Sequence, residues 1–196
     1  GNLLSPTFIE DFHRLDAMPL LDKLVLEKVL SDMKEMGLSD QRRVAINVSV
    51  ATIQQVDFVQ HLQGRLVYFG IPAEWLEIEI TEEAVLDNEV SLTNTMKALQ
   101  SMGVRITMDD FGTGYSSLSH LARLPVDKLK IDRSFVMHME NESRPRAITE
   151  TVIALGHKLG MEVVAEGIET ISVFSRLLTM GCRHFQGYLF SKPMPS

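Results

Sequence analysis

The sequence predicts an α/β fold in which parallel strands, each followed by a helix, close into a barrel. Short β-rich runs alternate with longer segments whose apolar residues recur every three or four positions, which is typical of βα units. The strands also have one apolar and one charged face, as in residues 76–81, where Glu77 and Glu79 alternate with leucine and isoleucine. Strands of an open doubly wound sheet are near-continuous apolar runs. The polar second face therefore favours a barrel with a polar interior.

Six strands are predicted, at residues 44–49, 76–81, 104–109, 127–132, 162–166 and 183–188. Helices are predicted at residues 19–36, 52–68, 89–102, 116–123, 144–159 and 171–180. Gly103, Gly160 and Gly181 follow three of these helices, where a left-handed cap is expected. Barrels of this kind have eight strands, so we expect two more strands to precede residue 1.

Composition limits the functional classes. The 196 residues suit one domain spanning residues 1–196, and the net charge of −7 argues against binding a long nucleic acid. A small anionic ligand remains possible because carboxylates can bind metal ions that in turn bind phosphate. No apolar run reaches the roughly 20 residues of a membrane span, and the single cysteine, Cys182, favours a reducing compartment. We expect a cytoplasmic domain without direct membrane contact, even if the full-length protein is anchored in the inner membrane.

Polar side chains collect where the predicted strands end, the edge at which such barrels carry their chemistry. These residues are Asn47, Glu79, Glu82, Asp109, Asp110, Lys130, Asp132, Glu166, Glu169 and Gln186. Taken singly, each has a structural alternative: a helix-terminus acid at Glu82, a turn at Asp109-Asp110, backbone bonding at Asn47, ion pairing at Lys130, capping at Glu166. These structural alternatives do not readily explain why five or six strands each place a polar residue at the same end of the barrel.

The residue types indicate a metal-dependent hydrolysis. Aspartate, glutamate and asparagine oxygens without cysteine or histidine are typical ligands of Mg²⁺ or Mn²⁺. Adjacent aspartates allow one to bridge two ions, and ions about 3.5–4 Å apart promote phosphoester hydrolysis. Lys130 supplies positive charge for a phosphate or orients the attacking water. A Schiff base on Lys130 is a weaker alternative, because neighbouring carboxylates keep a lysine protonated.

Five segments resemble the successive motifs of EAL domains, which are bacterial phosphodiesterases for cyclic di-GMP. They are "NVS", "EIEITEEAVL", "DDFGTGYSSLSHLARLPVDKLKIDRSFV", "VVAEGIET" and "GCRHFQGYLFSKPMP". The similarity runs from about Ser5 to Pro195. It implies a TIM-like (β/α)8 barrel of the EAL type, of which six strands are visible here. It also implies two Mg²⁺ or Mn²⁺ ions and hydrolysis of cyclic di-GMP to linear pGpG.

The resemblance also implies roles for individual residues. The first metal would be held by Asn47, Glu79 and Asp109, and the second by Asp109, Asp110 and Glu166. Lys130 would contact the hydrolytic water or the phosphate, and it is grouped with Asp110 and Glu166 as catalytic. Asp132, Gln186 and Pro6 would contact the substrate, Pro6 near a guanine. Glu169 would support the site, and Glu82 would hold the loop at residues 111–118 that links it to a dimer interface.

The Glu-Ala-Leu motif that names the family is expected on a strand upstream of residue 1. The resemblance therefore leaves two functions open. One is an active phosphodiesterase, which the complete downstream set of acids favours. The other is an inactive EAL domain that binds cyclic di-GMP as a receptor or regulatory module. By analogy with the family, we further expect a homodimer and a covalently linked sensory or cyclase domain.

Overall fold

The computed structural model describes residues 6–37, 43–82, 89–114 and 121–192, without the side chains of residues 6–8 and 89–91. Within these ranges the helices are α1 (Pro6–Arg14), α2 (Met18–Met36), α3 (Val50–Ile53), α4 (Phe58–Phe69), α5 (Glu89–Ser101), α6 (Arg133–His138), α7 (Ser143–Leu159) and α8 (Ile171–Thr179). The strands are β1 (Val44–Asn47), β2 (Leu76–Thr81), β3 (Arg105–Phe111), β4 (Lys128–Ile131), β5 (Glu162–Ala165) and β6 (His184–Phe185). A short 3-10 helix, Ala73–Trp75, leads into β2.

The chain forms two compact units, the first comprising residues 1–80 and 88–105. In this unit β1 and β2 pair in parallel, with Asn47 opposite Glu79. Helix α2 packs on β1, α3 and α4, and its buried side chains include Leu26 and Leu30. Helix α4 buries Phe58, together with leucines one and two turns further on. Leu26 and Phe58 also line one small pocket together with Ile46 of β1.

The second unit comprises residues 81–87 and 106–196. Its strands β3, β4, β5 and β6 pair in parallel and in chain order. Helix α7 packs on β4, β5 and α6. Gly156 allows a close approach of α7 to the sheet, because a Cβ there would lie 2.2 Å from Cγ2 of Val163. Parallel pairing brings the carboxyl ends of all four strands to one edge of this sheet.

The structure confirms the six predicted strands and most of the predicted helices. The helix predicted at 52–68 is instead two helices, because residues 54–57 form a turn in which Val56 is fully exposed. Helix α6 was not predicted, whereas the helix predicted at 116–123 lies almost entirely outside the described residues. Gly103, Gly160 and Gly181 all have positive φ values, of 101°, 73° and 93°, as predicted for residues that follow helices.

Candidate active site

In the first unit, two of the predicted ligands lie at the carboxyl end of the β1–β2 pair. Asn47 and Glu79 are register partners, and the amide of Val48 donates to the Glu79 carbonyl at 3.0 Å. Asn47 is exposed, whereas Glu79 is 9% exposed. Every residue of β2 up to Ile80 is buried, including Glu77, so this strand is covered on its charged face as well as on its apolar face.

In the second unit, a β-bulge positions the aspartate pair. Met108 is paired with Leu129 and Phe111 with Ile131, so both Asp109 and Asp110 face one residue of β4. Asp110 has a φ of 52°, in the left-handed region that aspartate tolerates better than most residues. Its amide donates to Oδ1 of Asp109 at 2.9 Å. Bulges redirect side chains beside active sites, and this one breaks the alternation that would point the two carboxylates to opposite faces.

Lys130 lies at the centre of the acidic cluster. Its ammonium nitrogen is 3.0 Å from Oδ2 of Asp109 and 2.7 Å from Oε1 of Glu166. The three side chains are only 9%, 13% and 17% exposed, in the order Lys130, Asp109, Glu166. Lys130 is therefore the shared ion-pair partner of both carboxylates.

Asp110 is the carboxyl group of this cluster whose pKa is raised. Burial, followed by the charges of Asp109, Asp132 and Glu166 and a hydrogen bond with Asp132, raises the pKa of Asp110 from 3.8 to about 6. A carboxyl group surrounded by other carboxylates resists ionisation unless a cation is close. The position of Asp110 is therefore suited to binding a cation.

Asp132 joins the cluster to α6. Asp132 is the N-cap residue of α6. One of its oxygens accepts from the backbone amide of Ser134 at 3.0 Å and from the hydroxyl of the same serine. Its carboxyl group also hydrogen-bonds with Asp110. The sequence predicted Asp132 at this edge, whereas its capping role became visible only with α6 itself.

Glu82 contacts the loop that follows β3. Its Oε2 accepts from the amide of Gly112 at 2.8 Å and from the amide of Gly114 at 3.2 Å, and Glu82 is 2% exposed. A Cβ on Gly114 would lie 3.0 Å from Cδ of Glu82, so a side chain there would crowd the carboxylate. The rest of the predicted loop, from residue 115 to residue 118, lies outside the described residues.

A cavity of about 530 Å³ lies beside Glu166 in the second unit. It is lined by Arg133, Glu166, Gly167, Glu169, Gln186, Gly187, Tyr188, Ser191 and Lys192. Three predicted site residues, Glu166, Glu169 and Gln186, thus share one cavity. Arg133, Tyr188 and Lys192 were not predicted, since no spacing pattern in the sequence separates them from ordinary surface residues. Pro6, also predicted to contact substrate, is the first residue of α1, and its side chain is outside the described part.

The donor chemistry of the site fits the predicted metals. Asp109, Asp110 and Glu166 offer hard oxygen ligands of the kind that Mg²⁺ and Mn²⁺ prefer. Among the described residues, no three Asp, Glu, His or Cys side chains are already arranged to hold an ion. Asp109 and Glu166 instead point at the ammonium of Lys130. Metal binding at this cluster would require these carboxylates to turn from the lysine toward the ion.

Within the ranges that the structure describes, no helix combines the length and the apolar character that a bilayer span needs.

Comparisons with known proteins show the family to which the chain is related. The chain matches the family model described as EAL domain over residues 1–193. It is 39% identical over 177 residues to the cyclic di-GMP phosphodiesterase NbdA of Pseudomonas aeruginosa, covering 89% of this chain and 23% of NbdA. The c-di-GMP complex of the MucR phosphodiesterase from the same species has a TM-score of 0.91 at 32% identity, covering 97% of this chain and 78% of that one. The manganese and c-di-GMP complex of Klebsiella pneumoniae BlrP1 has a TM-score of 0.78 at 33% identity, covering 94% and 45%.

The fold and the acidic cluster together define a class of proteins, the α/β barrel domains that carry a cluster of carboxylates at their strand ends. More narrowly, the chain belongs to the EAL domain family. The structural likeness confirms the predicted fold class, an α/β barrel of the EAL type. The chain spans less than a quarter of the length of NbdA, at 23%.

Proposed function

We propose that this chain is the catalytic domain of a metal-dependent phosphodiesterase that hydrolyses cyclic di-GMP to linear pGpG. The observation that carries the proposal is the cluster in which the ammonium of Lys130 lies between Asp109 and Glu166. The bulged aspartate pair brings a third carboxylate, that of Asp110, to the same group. The family membership and the substrate named for NbdA and for the MucR complex support the choice of cyclic di-GMP.

The proposed metal ligands follow the predicted assignment. Asn47, Glu79 and Asp109 would hold the first Mg²⁺ or Mn²⁺ ion, and Asp109, Asp110 and Glu166 would hold the second. When bound, such a pair of ions lowers the pKa of a water molecule and stabilises the charge of the transition state. The manganese complex of BlrP1 supports the presence of a divalent metal in this family.

The protein's own groups would then position the substrate. The ammonium of Lys130 would orient the attacking water or hold a phosphate oxygen, because it lies within 3.0 Å of two of the carboxylates that would hold the metal ions. The cavity beside Glu166 would take part of the dinucleotide, with Gln186 and Asp132 contacting the ligand and Glu169 supporting the site. Pro6 would lie near a guanine. Glu82 would hold the loop after β3 in place beside the site, because its carboxylate accepts a hydrogen bond from the Gly112 amide.

The test is product formation by the natural full-length protein, including any residues that precede Gly1. Mg²⁺- or Mn²⁺-dependent conversion of cyclic di-GMP to pGpG, followed by liquid chromatography and mass spectrometry, is expected. Asp109→Asn should abolish turnover and weaken metal binding while the fold persists. The matched control is Asp127→Asn, which removes the charge from the carboxylate that accepts from the Ile106 amide at 2.8 Å, at the amino end of β4. This control should lower stability but retain turnover.

Two results would contradict the proposal. Near-normal turnover in Asp109→Asn would return the aspartate pair to the role of a turn. Micromolar binding of cyclic di-GMP without any pGpG formation by the wild-type protein would favour the receptor function instead.

Three wider properties are part of the same proposal. A homodimer is proposed because the Glu82 loop links the metal site to a dimer interface in the family that the sequence resembles. A linked sensory or cyclase domain is proposed because this chain covers only 22% of the length of the bifunctional MucR protein. A cytoplasmic location is proposed because the single cysteine, Cys182, favours a reducing compartment.

A further inference from the structure

A buried carboxylate on α2, Asp22, contacts the turn that follows β1. Asp22 is 8% exposed, and its Oδ2 accepts three hydrogen bonds. The donors are the Ser49 amide at 2.9 Å, the Ser49 hydroxyl at 2.6 Å and the Thr52 hydroxyl at 2.5 Å. Burying a carboxylate costs free energy that burying an apolar residue at the same position would not cost. The three hydrogen bonds to one oxygen of Asp22 offset much of this cost.

The same turn carries Asn47, the last residue of β1. The two amides that follow Asn47 are bound to different elements: that of Val48 to the Glu79 carbonyl on β2 at 3.0 Å, and that of Ser49 to Asp22. The Asn47 side chain is exposed, so its direction depends on the backbone that carries it rather than on packing around it. The bond from Ser49 to Asp22 therefore fixes the Val48–Ser49 peptide plane, the next plane after the one that adjoins Asn47.

The serine also starts the next helix. Ser49 is the N-cap of α3, and its hydroxyl oxygen accepts from the amide of Thr52 at 3.3 Å. Asp22 thus binds both the cap residue and the first turn of α3. A single carboxylate on a helix whose own apolar face is buried thus contacts both the end of the β1 turn and the start of α3.

We propose that Asp22 is a positioning residue for the Asn47 metal ligand. This inference rests on the proposed function, since it takes Asn47 as a ligand of the first metal. Asp22 does not touch the metal or the substrate. It acts through Ser49 and the backbone, as partners that orient metal ligands do in other proteins, where their removal typically costs about 10–100-fold in metal affinity or activity.

The main test variant is Asp22→Asn in the natural full-length protein. Asparagine keeps the volume but removes the charge, so the side-chain atom that faces the turn binds the three donors less strongly than the carboxylate does. A second variant, Thr52→Val, removes one donor that lies outside the β1 turn and preserves the shape of the side chain. The control is Leu30→Val, a fully buried position two turns further along α2, at 0% exposure, which perturbs packing without touching the turn.

Two measurements separate positioning from stability. The first is hydrogen exchange of the Ser49 amide in the metal-free protein with EDTA present, which should quicken at least tenfold in Asp22→Asn and stay near wild type in Leu30→Val. The second is the Mn²⁺ dissociation constant without substrate, from the electron paramagnetic resonance signal of free Mn²⁺. It should rise about 10–100-fold in Asp22→Asn, less in Thr52→Val, and by under twofold in Leu30→Val.

The outcomes distinguish the two proposals. If wild-type protein binds no Mn²⁺ and forms no pGpG, the proposed function fails and this inference fails with it. If wild-type protein binds Mn²⁺ and Asp22→Asn binds it equally well, only the positioning role is overturned, and Asp22 merely stabilises the fold. If Asp22→Asn does not fold, Thr52→Val decides: unchanged Mn²⁺ affinity overturns the inference, and weakened affinity beyond that of Leu30→Val supports it.

Discussion

Replacing Lys130 with methionine tests whether its positive charge stabilises the acidic cluster. Methionine has a similar length but no charge, so Asp109 and Glu166 lose the ammonium that lies 3.0 Å and 2.7 Å from them. Both carboxylates would remain at low exposure beside Asp110, whose pKa is already raised to about 6. Metal-free Lys130→Met should therefore be clearly less stable than the wild type at neutral pH.

The size of the effect follows from the burial of the ion pairs. Removing one partner of a buried pair costs roughly 3–5 kcal/mol, and the residual exposure here places the cost at the lower end, about 3 kcal/mol. For a domain of this size each kcal/mol shifts Tm by about 2–4 °C, so a drop of about 6–12 °C is expected. Turnover should fall by about 100-fold or more, since a charge aimed at the transition state is lost.

The assay is thermal unfolding in EDTA between pH 4 and pH 8, with Lys97→Met as control. Lys97 is exposed on α5, so its replacement should change stability by under about 0.5 kcal/mol. The deficit of Lys130→Met should shrink below about pH 6, because Asp110 is then protonated and no longer repels the other two carboxylates. Mn²⁺ should restore its Tm without restoring turnover. Equal Tm values for Lys130→Met and wild type in EDTA at neutral pH would refute the reasoning.

Three further predictions concern single residues. Because burial and neighbouring carboxylates raise the folded-state pKa of Asp110 from 3.8 to about 6, the metal-free folded protein holds this proton more tightly than the unfolded chain. Its stability should fall as the pH rises from about 4 through about 6, and Asp110→Asn should remove that fall in urea titrations. Glu82→Gln should speed hydrogen exchange of the Gly112 amide, which the carboxylate now accepts at 2.8 Å; unchanged exchange would show that the loop is held by other contacts. Gly187→Ala should strongly lower Tm, because a Cβ would lie 2.2 Å from the carbonyl oxygen of Ile168, and a wild-type Tm would contradict the close approach.

The strands were predictable because their alternation is local. Each strand carries its own period-two pattern, so β2 and β4 could be assigned from a handful of residues. The helix limits were less predictable, as the turn at residues 54–57 shows. Val56 fits an apolar helical spacing in the sequence, yet it is fully exposed, while Phe58 begins the buried face of α4. Spacing alone cannot tell which apolar residue the core will accept.

Helix α6 shows a second limit of local patterns. It has six residues, Arg133–His138, too few for a clear apolar period. Its start depends on the Asp132 carboxylate, which the sequence analysis assigned to the substrate rather than to capping. A side chain that caps a helix and contacts the active cluster has two roles, and the residue type alone shows only that it is acidic.

The sequence by itself determined the βα order, the acidic residues at the strand ends and the family to which they point, because these depend on residue type and on spacing along the chain. Tertiary structure decided how those residues meet. The bulge in β3 turns Asp110 toward Asp109, and the buried Asp22 holds the turn that carries Asn47. Both arise from pairing between segments distant in the sequence, where a shift of one residue in register or one buried hydrogen bond sets the direction of a carboxylate or an amide.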